Sequence, residues 1–167
     1  MGGVIGCLHY NKPWSCNPLK RHGKGYLCIG KGGRLIGDNS IIYSGADVEI
    51  HQDATFSLGK SSFINLNCKV RCRSSISIGD NCVISENVTL WDSDEHSIIK
   101  EGYAKTKPIE IGNHCWIGCN SIILKGVKLG DGCVVAAGSV VTKSFGPKCL
   151  IGGVPAKVIQ QDIEWQI

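Results

Sequence analysis

Aromatic residues make up only 7% of this 167-residue chain, and no run of apolar residues is long enough to cross a bilayer. The first scarcity excludes a core built around large rings, and the second excludes a membrane-spanning helix. Met1 to Cys7 is short and mildly apolar, without a basic flank or a full secretory core, so no signal peptide is expected. The net charge is a modest +4 and no nucleic-acid-binding motif accompanies it, so DNA and RNA are not expected partners.

What the chain has in quantity is glycine, 22 residues, and a period of six. Ile111, Ile117, Ile123, Leu129, Val135 and Val141 follow one another at intervals of six without a slip. That period matches neither the 3.6 of an α-helix nor simple strand alternation, but it fits a chain that forms one flat face of a prism per hexad. Three hexads close a triangular coil. A second inward slot recurs two residues before each aliphatic, at Cys115, Ser121, Val127, Cys133 and Ser139, and it is small because a narrow interior leaves no room beside a stacked aliphatic column. Gly112, Gly118 and Gly130 after the aliphatics, with Asn113, Asn120 and Asp131, read as corner residues that tolerate positive φ. A stack of coils buries its core between neighbours and needs no large aromatic centre.

The repeat continues upstream in broken form through Ile36 and Ile42, then Leu58, Ile64 and Val70, then Ile78, Ile84 and Leu90, with bulges or extended corners expected at the slips. These blocks divide the chain into an irregular N-terminal cap with an imperfect first coil (1–35), a β-helix (36–146) carrying a loop (91–110), and a capping segment (147–167) with a short helical tail. The first segment holds a basic cluster of Lys12, Lys20, Arg21 and Lys24. A polar stretch as long as WDSDEHSIIKEGYAKTKP leaving a rigid scaffold reads as a functional loop.

Ten cysteines raise the question of disulfides, but Cys68, Cys82, Cys115 and Cys133 fall in the small inward slot and read as reduced packing residues of a cytoplasmic protein. Cys115 and Cys119 have the spacing of half a zinc site with no second half, so no metal is expected.

The segments IGNHCWIGCNSIIL, GDGCVVAAGSVVTK and GGVPAKVI together closely resemble the hexapeptide-repeat acyltransferases, over roughly residues 36 to 160. The resemblance implies an all-β, left-handed parallel β-helix and acetyl-CoA as acyl donor. It is nearest to the galactoside, maltose and xenobiotic O-acetyltransferase branch and to enzymes that modify capsular or lipopolysaccharide sugars, although the long N-terminal helical segment of the maltose type is missing. The implied reaction is direct transfer of acetyl to a sugar or glycan hydroxyl. The implied assembly is a homotrimer with active sites between subunits.

Histidine is suited to take a hydroxyl proton near neutral pH. His96 lies in the loop where similar enzymes carry their catalytic histidine, and Asp92, Asp94 and Glu95 are candidates to orient its ring. A solvated loop histidine is the plain alternative. By resemblance, Asn67 and Trp116 line the substrate site; a corner asparagine and a packing residue are the alternatives. The same resemblance lays the pantetheine arm along Gly118, Cys119 and Ala137 and the nucleotide end near Thr142, Lys143 and Lys157. Backbone N–H groups, with those of Gly118 and Cys119 as candidates, would stabilise the oxyanion. His114, beside Trp116, reads as a surface residue, and Lys69, Arg71 and Arg73 as an outward, solvated basic set.

Two other functions fit the prism. One is an N-acetyltransferase acting on an amino sugar nucleotide. The other is a scaffold without catalysis, or a zinc hydratase, which would need three convergent histidines that the sequence does not supply.

Overall fold

The structure, a computed structural model, describes residues 8–10 and 25–167. The basic cluster and most of the expected N-terminal cap lie outside the described residues. The rest winds as a three-faced parallel β-helix. The first face runs through strands Leu8–Tyr10, Ser40–Ile42, Phe63–Ile64, Val83–Ile84, Trp116–Ile117, Val134–Val135 and Leu150–Gly153, and ends on an antiparallel strand, Ala156–Gln160. The second stacks Tyr26–Ile29, Asp47–Ile50, Lys69–Cys72, Thr89–Trp91, Ile122–Leu124 and Val140–Val141. The third stacks Arg34–Gly37, Thr55–Leu58, Ser75–Ile78, Ile109–Ile111 and Lys128–Leu129. No helix occurs among the described residues, so the expected helical tail is a strand followed by irregular chain.

The uninterrupted hexads behave as expected: Ile111 pairs with Leu129, Ile117 with Val135 and Ile123 with Val141, one eighteen-residue coil apart, and all six are buried. Burying one such side chain contributes roughly 1.5–3 kcal/mol. Earlier coils are longer, and the reason differs from the bulges expected. Strands such as Asp47–Ile50, Thr55–Leu58, Lys69–Cys72 and Ser75–Ile78 have four residues and put two side chains inside, Val48 with Ile50 and Phe56 with Leu58 among them. Their ladders run without a register shift. Period-two alternation within a four-residue strand also overturns one expected core residue: Leu35 points inward and Ile36 is 41% exposed. Coil geometry includes Leu8–Tyr10 and Tyr26–Ile29, ahead of residue 36, and extends through Leu150–Gly153, beyond residue 146.

The glycines after the aliphatics serve close approach rather than positive φ. A Cβ on Gly112 would lie 2.8 Å from the Asp131 nitrogen, and one on Gly118 would lie 2.6 Å from that of Ala137. Positive φ falls elsewhere, in columns at the corners. One column stacks Gly45, Asn67, Asn87, Asn120 and Gly138; another stacks Asn39, Ser61, Asn81, His114, Gly132 and Lys148.

The cysteine slots are buried as expected. Cys82, Cys115 and Cys133 donate their thiol protons to the carbonyls of Gly112 (3.0 Å), Gly130 (3.3 Å) and Gly146 (2.9 Å), tying each coil to the next. All described cysteines are free, and burial pushes Cys68 and Cys72 up to about 12.

Candidate active site

The loop leaves the second face after Trp91 and rejoins the third face at Ile109, so it stands at the edge between those two faces. Each residue leading to His96 is anchored. Asp92 is buried, and its carboxylate accepts the N–H groups of Arg73 (2.7 Å), Ser74 (2.8 Å) and Ser75 (2.9 Å), the turn of the coil below. Burial pushes its pKa up, against the pull of those amides. Ser93 bridges Thr106 on the returning limb, hydroxyl to hydroxyl at 3.2 Å. The Asp94 carboxylate holds Lys125 Nζ (2.6 Å) and the Tyr103 hydroxyl, and these bonds keep it below the usual carboxylate range. Glu95, at φ +61°, accepts from Arg73 Nε (2.7 Å) and Trp91 Nε1 (3.1 Å), and the guanidinium holds its pKa down.

The imidazole of His96 emerges exposed at the end of this pedestal. The sequence suggested that Asp92, Asp94 or Glu95 orients its ring. Their hydrogen bonds go instead to the 73–75 turn, to Lys125 with Tyr103, and to Arg73 with Trp91. The three acids fix the loop's backbone.

Of the outward basic set, Lys69 is exposed as expected, while the two arginines are committed to ion pairs. Arg71 forks onto Asp47 and reaches Glu49 at 3.5 Å, while Arg73 spans Glu49 (2.9 Å) and Glu95 (2.7 Å). The two side chains are only 15% and 22% exposed, so they form an ion-pair ladder across three coils in place of the solvated face expected.

Four of the remaining candidates cluster along another edge. Asn67, Gly118, Cys119 and Ala137 all lie where the first face turns into the second. Asn67 occupies a corner position with φ +57°, its amide oxygen over Gly45 of the preceding coil. The Gly118 N–H is committed to the Val135 carbonyl at 2.8 Å and is unavailable to a ligand. Among the described residues, no inter-coil backbone hydrogen bond uses the N–H of Cys119 or Ala137. Trp116 stands on the first face, 41% exposed, its indole N–H on Ser85 Oγ at 3.1 Å. Thr142 and Lys143 are exposed at the end of the second face, with Lys143 Nζ 5.5 Å from the Phe145 ring centre, and Lys157 is exposed on the last strand. One chain therefore presents its candidates on two separate edges.

Sequence reasoning missed Lys125, Tyr103 and Trp165. Tyr103 and Lys125 brace the loop, and Trp165 of the C-terminal tail packs beside Trp116 with ring centres 5.9 Å apart. Tyr103 bonds to Asp94 and His96 across its own loop, while the partners of Lys125 and Trp165 lie in distant segments, and no local spacing signals such contacts.

A family model for the hexapeptide repeat of succinyl-transferase matches residues 57–91 and 108–143. The galactoside O-acetyltransferase of Escherichia coli (strain K12) is 38% identical over 107 residues, 62% of this chain and 53% of that protein. The chain thus spans about half the length of the curated relatives it matches. A hexapeptide-repeat-containing acetyltransferase from Vibrio cholerae O1 biovar eltor, solved with acetyl coenzyme A, is 30% identical, with 78% of this chain and 71% of that one covered and a TM-score of 0.67. A polysialic-acid-specific acetyltransferase, 22% identical, shares the fold at a TM-score of 0.69 over 97% of this chain and 89% of that one. The stacked parallel coils are consistent with left-handed winding, and the chain belongs to the hexapeptide-repeat acetyltransferase family.

Proposed function

We propose that the protein transfers acetyl from acetyl-CoA to a hydroxyl of a sugar or glycan, with His96 as general base. The observation that carries this reading is the delivery of an exposed imidazole by four consecutive anchored residues, Asp92 to Glu95, in a chain whose relatives are acetyltransferases. A solvated loop histidine would need no such pedestal.

In the proposed reaction His96 accepts the acceptor's hydroxyl proton as the oxygen attacks the thioester carbonyl. The resulting oxyanion collapses, the carbon–sulfur bond breaks, and the imidazolium returns its proton to the departing sulfur. An acetyl ester and free CoA result, with no covalent enzyme intermediate. Holding both reactants in line supplies much of the rate. The amide of Cys119, which makes no inter-coil backbone hydrogen bond, is the candidate oxyanion donor, since that of Gly118 is committed within the prism. Cys119 and Ala137 offer backbone groups to pantetheine. Thr142, Lys143 and Lys157 offer a hydroxyl and two cations to the nucleotide end, where phosphates favour positive charge. Trp116 offers an exposed ring to a pyranose face or the pantetheine arm, and Asn67 an amide.

The two edges support a homotrimer. His96 stands at one and Asn67, Cys119 and Ala137 at another, so a cyclic arrangement that sets the loop edge of one copy against the first-to-second-face edge of the next completes three equivalent sites. The proposed setting is the cytoplasm, where free thiols persist, in surface-polysaccharide synthesis.

Calorimetric titration with acetyl-CoA tests the donor without a chosen acceptor, and one saturable site per chain is expected. His96→Ala should then abolish transfer to a sugar while CoA affinity stays; retained turnover refutes the base. Matched hydroxy and amino sugars distinguish O- from N-transfer, and light scattering at micromolar concentration checks for three copies.

A further inference from the structure

The tip of the loop beyond His96 has little to hold it, with Ile98 and Ile99 exposed at 59% and 104%. The backbone of His96 is nevertheless fixed on both sides. Its N–H donates to the Asp94 carbonyl at 2.6 Å, and its carbonyl lies 3.0 Å from the Tyr103 hydroxyl, whose proton is shared with the Asp94 carboxylate. Both contacts lead to one cation. Lys125, immediately after the strand Ile122–Leu124 of the next coil, pairs with Asp94, donates to the Ala104 carbonyl and lies 4.3 Å over the Tyr103 ring. It thereby grips the outgoing limb at Asp94 and the returning limb at Tyr103 and Ala104. Its side chain is 17% exposed.

We propose that Lys125 is the positioning residue of the loop, a clasp that sets His96 through Asp94 and Tyr103. The proposal rests on the reading of His96 as general base. Removing the ammonium leaves the anchors at the foot of the loop in place: Asp92 on the 73–75 turn, the Ser93 to Thr106 bridge, and the Asp94 N–H on the Lys105 carbonyl. Only the turn carrying His96 loses its brace. Misplacing a reacting group by about 1 Å can cost on the order of 100-fold in rate, so the effect falls on turnover and spares the prism.

The test pairs NMR relaxation with kinetics on the full chain, comparing wild type with Lys125→Met, Lys125→Arg and Tyr103→Phe. In Lys125→Met the His96 amide order parameter is expected to drop from about 0.85 to below about 0.6, the range of a flexible segment. The Asp92 and Ser93 amides should be unchanged. With acetyl-CoA and a galactoside as probe acceptor, kcat should fall about 100-fold at unchanged KM for acetyl-CoA. Lys125→Arg should restore order and rate in part, and Tyr103→Phe should loosen His96 with no shift in melting temperature. An unchanged His96 order parameter in Lys125→Met overturns the clasp, as does lost turnover with His96 still ordered. Because the relaxation measurement needs no acceptor, it decides the clasp even if His96→Ala retains activity, a result that would refute the base instead.

Discussion

The imidazole of His114 lies flat on the indole of Trp165, ring centres 4.3 Å apart and planes 7° from parallel. The pair also exchanges two hydrogen bonds: Trp165 Nε1 donates to the His114 carbonyl at 2.9 Å, and His114 Nε2 reaches the Trp165 carbonyl at 3.0 Å. The tail is further tied by the Ile163 N–H on the Lys148 carbonyl and by the Lys148 to Glu164 ion pair. It therefore runs back along the corner that holds Lys148 and His114, outside the prism. That explains a histidine at φ +52° in a column otherwise holding Asn, Ser, Gly and Lys.

Trp165→Ala removes the stack and the indole N–H bond to the His114 carbonyl, while the residue 165 carbonyl that His114 Nε2 reaches is backbone and remains. An aromatic pair is worth about 0.5–1.5 kcal/mol beyond its burial, so a loss of about 1 kcal/mol and a melting temperature lower by a few degrees are expected. Hydrogen exchange at the Ile163 amide should rise sharply while exchange at Ile117 stays slow. Unchanged protection at Ile163 would show that the tail is held by something other than this pair.

Two glycine substitutions should behave oppositely. In Gly112→Ala the new methyl would lie 2.8 Å from the Asp131 nitrogen and 2.9 Å from the Gly130 carbonyl carbon, both backbone atoms of the next coil. The coils must separate locally, a cost of about 1–3 kcal/mol by comparison with overpacked cores. Gly146→Ala meets nothing within 4 Å and should stay within about 0.5 kcal/mol of wild type. Denaturant melts of the two variants check the difference, and equal stabilities would rule out close approach as the reason for glycine at position 112.

Asp92→Asn is expected to destabilise even though burial already raises the pKa of Asp92. One carboxylate oxygen serves Arg73 and the other serves Ser74 and Ser75. An asparagine can present its single carbonyl oxygen to one side only and turns its NH₂ toward an N–H on the other. A buried donor left unsatisfied costs about 1–3 kcal/mol. The melting temperature should fall accordingly, and faster amide exchange at Arg73 or at Ser74 and Ser75 identifies which side is lost.

Much of the prism is legible in the spacing of its aliphatics, because a hexad of two-residue strands leaves one choice of inward side chain. From Ile111 to Val141 every inward residue read from the sequence is buried, and the polar gap after Leu90 is the loop. Legibility fails where strands lengthen to four residues, since alternation then competes with the hexad and Ile36 turns outward beside Leu35. At the candidate site, the loop and the exposure of His96 could be read from sequence, but the duties of its acidic neighbours could not. Asp94 and Glu95 are claimed by Lys125 and Arg73, which stand on other coils and reach the loop only once the prism has closed.

The same two pairs make loop order dependent on pH. Lys125 and Arg73 bind the ionised forms of Asp94 and Glu95 and hold their folded pKa values below the usual range. A depressed carboxylate contributes stability above its unfolded pKa, about 3.9 for Asp and 4.3 for Glu, and loses it as pH falls through the folded value. Asp92 acts in the opposite sense. Its raised folded pKa means that protonation relieves a buried charge, so between its unfolded and folded values stability falls as pH rises. Acidification below about pH 4 should therefore release Asp94 and Glu95 while Asp92 stays seated. Trp91 reports the event, because its indole N–H is bonded to Glu95. Its indole N–H signal should shift toward that of exposed indole as pH falls below about 4, while the Ile84 and Ile117 amides remain protected from exchange. Loss of both signals at one pH would mean that the loop and the prism unfold as a single unit, and that the ion pairs do not set loop order independently.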